Sequence, residues 1–203
     1  MPNKYIIPDG IATIEIIIRR SRFISNAGYT STIENAKAFI ADAKTEHPTA
    51  SHYVYAFAIG HGSSVTHGMS DAGEPSNTAG KPTLAVVKGS GLADITVVTT
   101  RYFGGTKLGK GGLIKAYTES AQIVLAELPR IEKIEKVTVK INVPYNLYER
   151  VKLAINHHGG KITVEDFGVS IMMIIDLPKS SLLLFEESIS EMSSGRLHVY
   201  KIQ

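Results

Sequence analysis

The chain has 203 residues, 43% of them apolar, a net charge of +3 and no cysteine. That composition suits one large or two small globular domains, and it excludes disulfides, thiolate nucleophiles and Cys-ligated zinc or iron–sulfur sites. The opening MPNKYIIPDG lacks a signal-peptide core and no apolar run nears the ~20 residues of a membrane span, so a cytoplasmic protein without membrane contact is expected.

Ile11 to Ile18 alternates into a β-branched run and Arg22 to Tyr29 follows a short polar turn, which predicts paired strands. Ser31 and Glu34 form a capping-box pattern ahead of a helix whose stripe Ile33, Ala36, Ile40 and Ala43 faces a core, and Pro48 ends it. Tyr53 to Ile59 reads as a strand with Tyr53, Tyr55, Phe57 and Ile59 on one face. Gly60 to Gly80 then shows almost no periodicity, and long connections of this kind are often functional. Pro82 opens a short helix through Val87, stopped by Gly89 and Gly91, and Ile95 to Thr100 is a buried-type strand. Leu113, Tyr117, Ala121, Val124 and Leu128 share one face of a further helix before Pro129, and residues 1–134 form the first domain.

From Glu135 the pattern becomes β-α-β-β-α-β: strand Lys136 to Val143, helix Tyr145 to His158, strands Lys161 to Glu165 and Val169 to Leu177, helix Ser181 to Ser193, strand Leu197 to Ile202. Gly159-Gly160 closes the first helix, Phe167-Gly168 turns the hairpin, and Leu182, Phe185, Ile189 and Met192 give the second helix its core face. Residues 135–203 are therefore expected to form a ferredoxin-like domain, in a chain of class α+β.

The segment from Arg101 to Leu113 packs five glycines and three cations between a buried strand and a helix. Glycines let main-chain N–H groups converge, the helix adds its positive end, and no acidic residue occurs between Asp94 and Glu119; an anionic ligand follows. Gly104 to Lys110 has the G-x-x-x-x-G-K spacing of a P-loop, but Gly111 stands where Ser or Thr must hold Mg²⁺, which argues against nucleotide hydrolysis. The remaining readings are a phosphate contact and a structural turn. Overall charge does not separate them, with 14 Lys+Arg against 11 Asp+Glu up to Ile134 and 8 against 8 beyond.

A second candidate runs from Ser70 to Pro82, gathering Asp71, Glu74, Ser76 and Lys81 among turn residues. Its carboxylates and hydroxyls suit acid/base chemistry, and with His61 and His67 an N/O metal site; the same residue types are also ordinary turn and cap formers. His52 can orient a substrate or simply pack at a strand start, and His157 and His158 suit a helix C-terminus.

Ser21-Arg22-Phe23-Ile24, His52 with Tyr53, Tyr55-Ala56, the Asp71–Pro82 loop, Gly89-Ser90-Gly91-Leu92 and Arg101-Tyr102-Phe103-Gly104-Gly105 through Lys107-Leu108-Gly109 together resemble the Impact family of YigZ-like proteins. The resemblance implies a first domain similar to the second domain of small-subunit ribosomal protein five, a βα sandwich. It implies a ferredoxin-like second domain similar to those of elongation factor G. Lys110 departs from the small polar residue common at its position. Eukaryotic members look like regulators of translation that act through protein contacts. The leading expectation is thus a non-enzymatic cytoplasmic regulator of translation that binds RNA, the ribosome or a translation-related protein. No catalytic residue, metal or cofactor is assigned. The expected contact set is Arg101, Tyr102, Phe103, Gly104, Gly105, Lys107, Gly109, Lys110, Gly111 and Gly112, with His52, Asp71, Glu74, Ser76 and Lys81. The alternative is an enzyme or binder of a small phosphorylated ligand held between the Asp71–Lys81 and Arg101–Gly112 loops.

Overall fold

A computed structural model describes residues 4–202, which divide into two units: Tyr5–Glu132, and the residues from Lys133 onward together with Lys4. In chain order the first unit holds most of β1 (Lys4–Pro8), then β2 (Ile11–Ile18), β3 (Ser21–Tyr29), α1 (Ile33–Glu46), β4 (His52–Ile59), β5 (Thr66–Ser70), α2 (Gly80–Gly89), β6 (Ile95–Tyr102), α3 (Gly109–Glu127) and the start of β7 (Arg130–Ile134). Five strands form an antiparallel sheet in the order β2-β3-β6-β4-β5, and β1 pairs with β7.

The sheet is covered on both faces, since its central strand is apolar or hydroxylic from Ile95 to Thr100 and is buried without alternation as far as Arg101. On one side α1 seats Ile40 and Ala43 against Val98, with Tyr55 beside them. On the other, α2 and α3 pack Val87, Ala121, Val124 and Leu125 against Ala27, Ala56, Ile95 and Val97. The hydroxyls this face buries satisfy one another: Ser25 Oγ lies 2.6 Å from both Thr99 Oγ1 and Ser120 Oγ. Unpaired, each would cost about 1–3 kcal/mol.

β4 alternates as expected, with Tyr53, Tyr55 and Phe57 half-buried on one face and Val54, Ala56 and Ala58 buried on the other, while three local expectations change. The cap of α1 is Thr32, whose side chain accepts from the Asn35 N–H, so Ser31 and Glu34 do not form the capping box. The aperiodic stretch after Ile59 contains β5, an edge strand of sequence THGMS held by its pairing with β4. The short β1 and β7 had no periodicity of their own.

The second unit contains β8 (Lys136–Val143), α4 (Tyr148–His157), β9 (Lys161–Phe167), β10 (Ile171–Pro178), α5 (Leu182–Ser193) and β11 (Tyr200–Lys201). Its sheet order β11-β8-β10-β9 is that of a ferredoxin-like domain. Alternation sends Val139, Ile141, Val143, Ile171, Met173, Ile175 and Leu177 to one face, where Val151 and Ile155 of α4 and Leu182, Phe185 and Ile189 of α5 meet them. Gly159, at φ +71°, lets the chain turn back so that the Gly160 N–H reaches the Ile155 carbonyl at 2.8 Å. Two elements are shorter than expected: α4 begins at Tyr148 after a 3₁₀ turn over Tyr145–Leu147, and β11 spans two residues. The chain is α+β with two domains, and among the described residues no helix is long and apolar enough to cross a membrane.

Candidate functional site

The two loops that the sequence singles out both join a strand to a helix in the first unit, β5 to α2 and β6 to α3. In the first, Asp71 folds the loop around itself. Its Oδ1 accepts from the N–H groups of Ala79 (3.0 Å) and Gly80 (2.8 Å), and its Oδ2 from Asn77 (2.8 Å). Burial pushes the Asp71 carboxyl up, but these three backbone donors outweigh it and hold the group below the ordinary carboxylate range. The carboxylate thereby supplies the N-terminal cap that Ala79 cannot, since no side chain at the cap position bonds the helix. Gly80 is required there because a Cβ would sit 2.7 Å from the Ser70 carbonyl carbon.

Glu74 points inward from the same loop and is 8% exposed. Its Oε1 receives Arg101 Nη1 at 2.6 Å and the Tyr117 hydroxyl at 2.7 Å. Arg101, 4% exposed near the end of β6, also donates through Nη2 to Ser21 Oγ at 3.2 Å and lies over the rings of Phe23 and Phe103. Burial, and then the adjacent Glu74 charge, drive the Tyr117 phenol far above its ordinary value, so it stays protonated and donates. His52, opposite Arg101 on β4, places Nδ1 2.9 Å from the Ala72 carbonyl. A carbonyl only accepts, so Nδ1 carries the proton, and Nε2 lies 3.9 Å from Glu74 Oε2.

Above this network opens a cleft of about 390 Å³ lined by His52, Glu74, Pro75, Arg101, Phe103, Lys107, Leu108, Gly109, Lys110 and Leu113. Its rim is the glycine-rich loop and the start of α3. Gly105 and Gly109 take φ +83° and +73°, which bends the chain into the helix. No side chain caps α3 and no acidic residue occupies its first turn, Gly109-Lys110-Gly111-Gly112. A nineteen-residue helix therefore presents its positive end beside two exposed lysines.

Seven of the expected contact residues thus meet at one cleft: His52, Glu74, Arg101, Phe103, Lys107, Gly109 and Lys110. Others stand elsewhere. Tyr102 alternates to the α1 side of the sheet, its hydroxyl 3.2 Å from His47 Nδ1. Ser76 is exposed and accepts from Asn77 Nδ2, and Lys81 lines a separate groove of about 870 Å³ between α2 and α3. The close approach expected of Gly104 is to the chain itself, where a Cβ would overlap the Arg20 carbonyl. Within the cleft, Arg101 gives Nη1 to Glu74 and Nη2 to Ser21, and its buried Nε has no hydrogen-bond partner among the described residues. His61 and His67 line another cavity with Lys88, away from Asp71 and Glu74, and among the described residues no three potential metal ligands gather.

Two members of the network lay outside the expected set, Ser21 and Tyr117. Tyr117 carries a signal that composition alone hides, since a phenol on an otherwise aliphatic helix stripe needs a buried partner.

A two-domain class is defined by these features: an antiparallel sheet with a glycine-rich strand-to-helix loop over a buried Arg–Glu pair, and a ferredoxin-like partner domain. Residues 19–125 match the Impact N-terminal domain and residues 141–196 match a domain of unknown function, DUF1949. An IMPACT family member of Haemophilus influenzae is 34% identical over 201 residues, covering 98% of each chain. The IMPACT family member YigZ of Escherichia coli is 34% identical over 202 residues, covering 99% of each. A crystal structure described as that of a hypothetical protein superposes with a TM-score of 0.74 at 34% identity, over 100% of this chain and 98% of that one. The chain belongs to the IMPACT family.

Proposed function

We propose that the protein is a regulator of translation that acts by binding single-stranded RNA at the cleft of its first domain. The observation that carries this reading is the open end of α3: an uncapped helix N-terminus, free of acidic side chains, flanked by Lys107 and Lys110. One backbone phosphate fits that end, its charge met by the first-turn N–H groups and the lysines. Phe103, 48% exposed beside them, offers a face for a base to stack on, the combination that sequence-tolerant single-strand binders use. Arg101 and Glu74 form the floor of the cleft and fix the two loops to each other. The translational setting rests on the family, whose eukaryotic members resemble translation regulators.

A second reading has its own support. The cleft volume of about 390 Å³ lies in the range of small-ligand pockets, and His52 and Glu74 line it, as suits a small phosphorylated compound.

Fluorescence anisotropy with a short labelled RNA across a salt series separates the two. RNA binding is expected to weaken with log salt by ~0.7 per phosphate contacted, with Lys107→Ala and Lys110→Ala each removing about one such contact. Absent or salt-insensitive RNA binding, with saturable uptake of a mononucleotide, would select the second reading. Failure of both, with a protein recovered from lysate after ribonuclease treatment, would select a protein partner.

A further inference from the structure

The hairpin joining β2 to β3 turns in two residues, because Ile18 pairs with Ser21 and leaves Arg19-Arg20 between them. Both are left-handed, with φ +46° and +70°. A two-residue turn of this kind requires positive φ at both positions and is ordinarily Asn-Gly or Asp-Gly. Arginine gains nothing locally from that conformation, since its Cβ crowds the following carbonyl. Residues held in such regions mark places where the surrounding structure imposes them and where function is to be sought.

The surrounding structure here is the glycine-rich loop. Gly104 packs so closely on the Arg20 carbonyl that no Cβ fits, and its N–H donates to Ser21 Oγ at 3.2 Å, the same hydroxyl that receives Arg101. The turn is therefore locked to the rim of the cleft. Arg19 lines a second depression with Leu108, Gly112, Lys115 and Glu119, and Leu108 also lines the cleft. Both arginines are exposed, and neither forms an ion pair among the described residues. Arg22, two residues on, differs: its Nε is held by Glu15 at 2.9 Å.

We propose that the Arg19-Arg20 turn is a second phosphate-contacting element, which continues the cleft's lysines into a track that spans the start of α3. This inference rests on the RNA reading and deepens it by naming the ligand class: an oligonucleotide whose backbone crosses from Lys107 and Lys110 to the turn, not a mononucleotide confined to the cleft. The tight turn and its dock onto Gly104 hold two flexible cations at a fixed place, which reduces the ordering that binding would otherwise demand.

The decisive variant is Arg19→Asn combined with Arg20→Gly. It installs the residues the turn prefers while removing both charges, so misfolding does not confuse the result. Its melting temperature is expected to rise by about 2–4 °C. Its affinity for a short single-stranded RNA should fall about tenfold or more, with the salt slope reduced by ~1.4 for two lost contacts, while uptake of inorganic phosphate is unchanged. Arg19→Lys with Arg20→Lys should retain the slope. If the wild-type protein binds the RNA and the Asn-Gly variant binds it with equal affinity and slope, this inference fails and the RNA reading stands. If the wild-type protein binds no RNA, the RNA reading itself fails. A fall in melting temperature would overturn the premise that the turn is strained.

Discussion

The two strand-to-helix loops of the first domain begin alike and end differently. Each leads into a helix through a glycine, Gly80 for α2 and Gly109 for α3, and each carries charged side chains near the helix end. In the first loop both acids are spent: Asp71 on three backbone donors, Glu74 on Arg101 and Tyr117. In the second the helix end has no cap and the lysines stand exposed. A helix N-terminus is a positive site in either case. What decides its role is whether the chain supplies the anion itself, as α2 does, or leaves that place open, as α3 does.

The sharpest way to break this contrast is to remove the buried acid. Glu74→Ala leaves the Arg101 guanidinium buried without a counter-charge, and the loss of stability is expected to be about 3–5 kcal/mol, read from urea unfolding followed in the first domain. Tyr117→Phe keeps the ion pair and removes one donor to a carboxylate, for a loss of about 2 kcal/mol by the same measurement. A Glu74→Ala protein as stable as wild type would show that the two loops are not held together by this pair.

How much of this contrast is legible in the amino-acid sequence follows from the range of the interactions. The β2–β3 pair, the buried central strand, α3 and nearly all of the ferredoxin-like order are carried by local periodicity, and they stand where periodicity puts them. β5 is not, because THGMS has neither alternation nor β-branched residues beyond its first and owes its extension to β4. The glycine loop is visible as a cluster of unusual residues, yet the purpose of Gly104 depends on the Arg20 carbonyl, more than eighty positions away. Arg101 reads as an unpartnered cation because its acid lies twenty-seven residues upstream in a loop without periodicity. Charge next to glycine is local information. Whether that charge is already neutralised is not.

Asp71 gives the contrast a pH dependence. Its folded carboxyl lies below its unfolded value of about 3.9, so the stabilisation is complete above that value and is lost as pH falls through the folded one. Asp71→Asn, which turns one acceptor into a donor facing the Asn77 N–H, is expected to cost about 1–2 kcal/mol at neutral pH. The difference from wild type should begin to shrink as the solution is taken below about pH 4, where the unfolded chain takes up its proton first, and close as the folded carboxyl follows at lower pH. Unfolding curves of both proteins across that range test it; a gap that stays constant in acid would mean the carboxylate charge is not what caps α2.

The smallest expected change in stability is also the most informative about α3. Gly111 sits in its first turn with open space where a Cβ would go, so Gly111→Asp gives α3 the acid that α2 borrows from Asp71. Replacing glycine inside a helix and placing a negative charge at its N-terminus both stabilise, together by about 1 kcal/mol. The same carboxylate would occupy the position proposed for phosphate and repel it. A slightly more stable protein with RNA affinity reduced about tenfold or more is therefore the expected result, measured by thermal unfolding and anisotropy on one preparation. Full RNA affinity in that variant would mean the helix end is not the anion site, and the lysines alone would have to account for any binding that Lys107→Ala and Lys110→Ala remove.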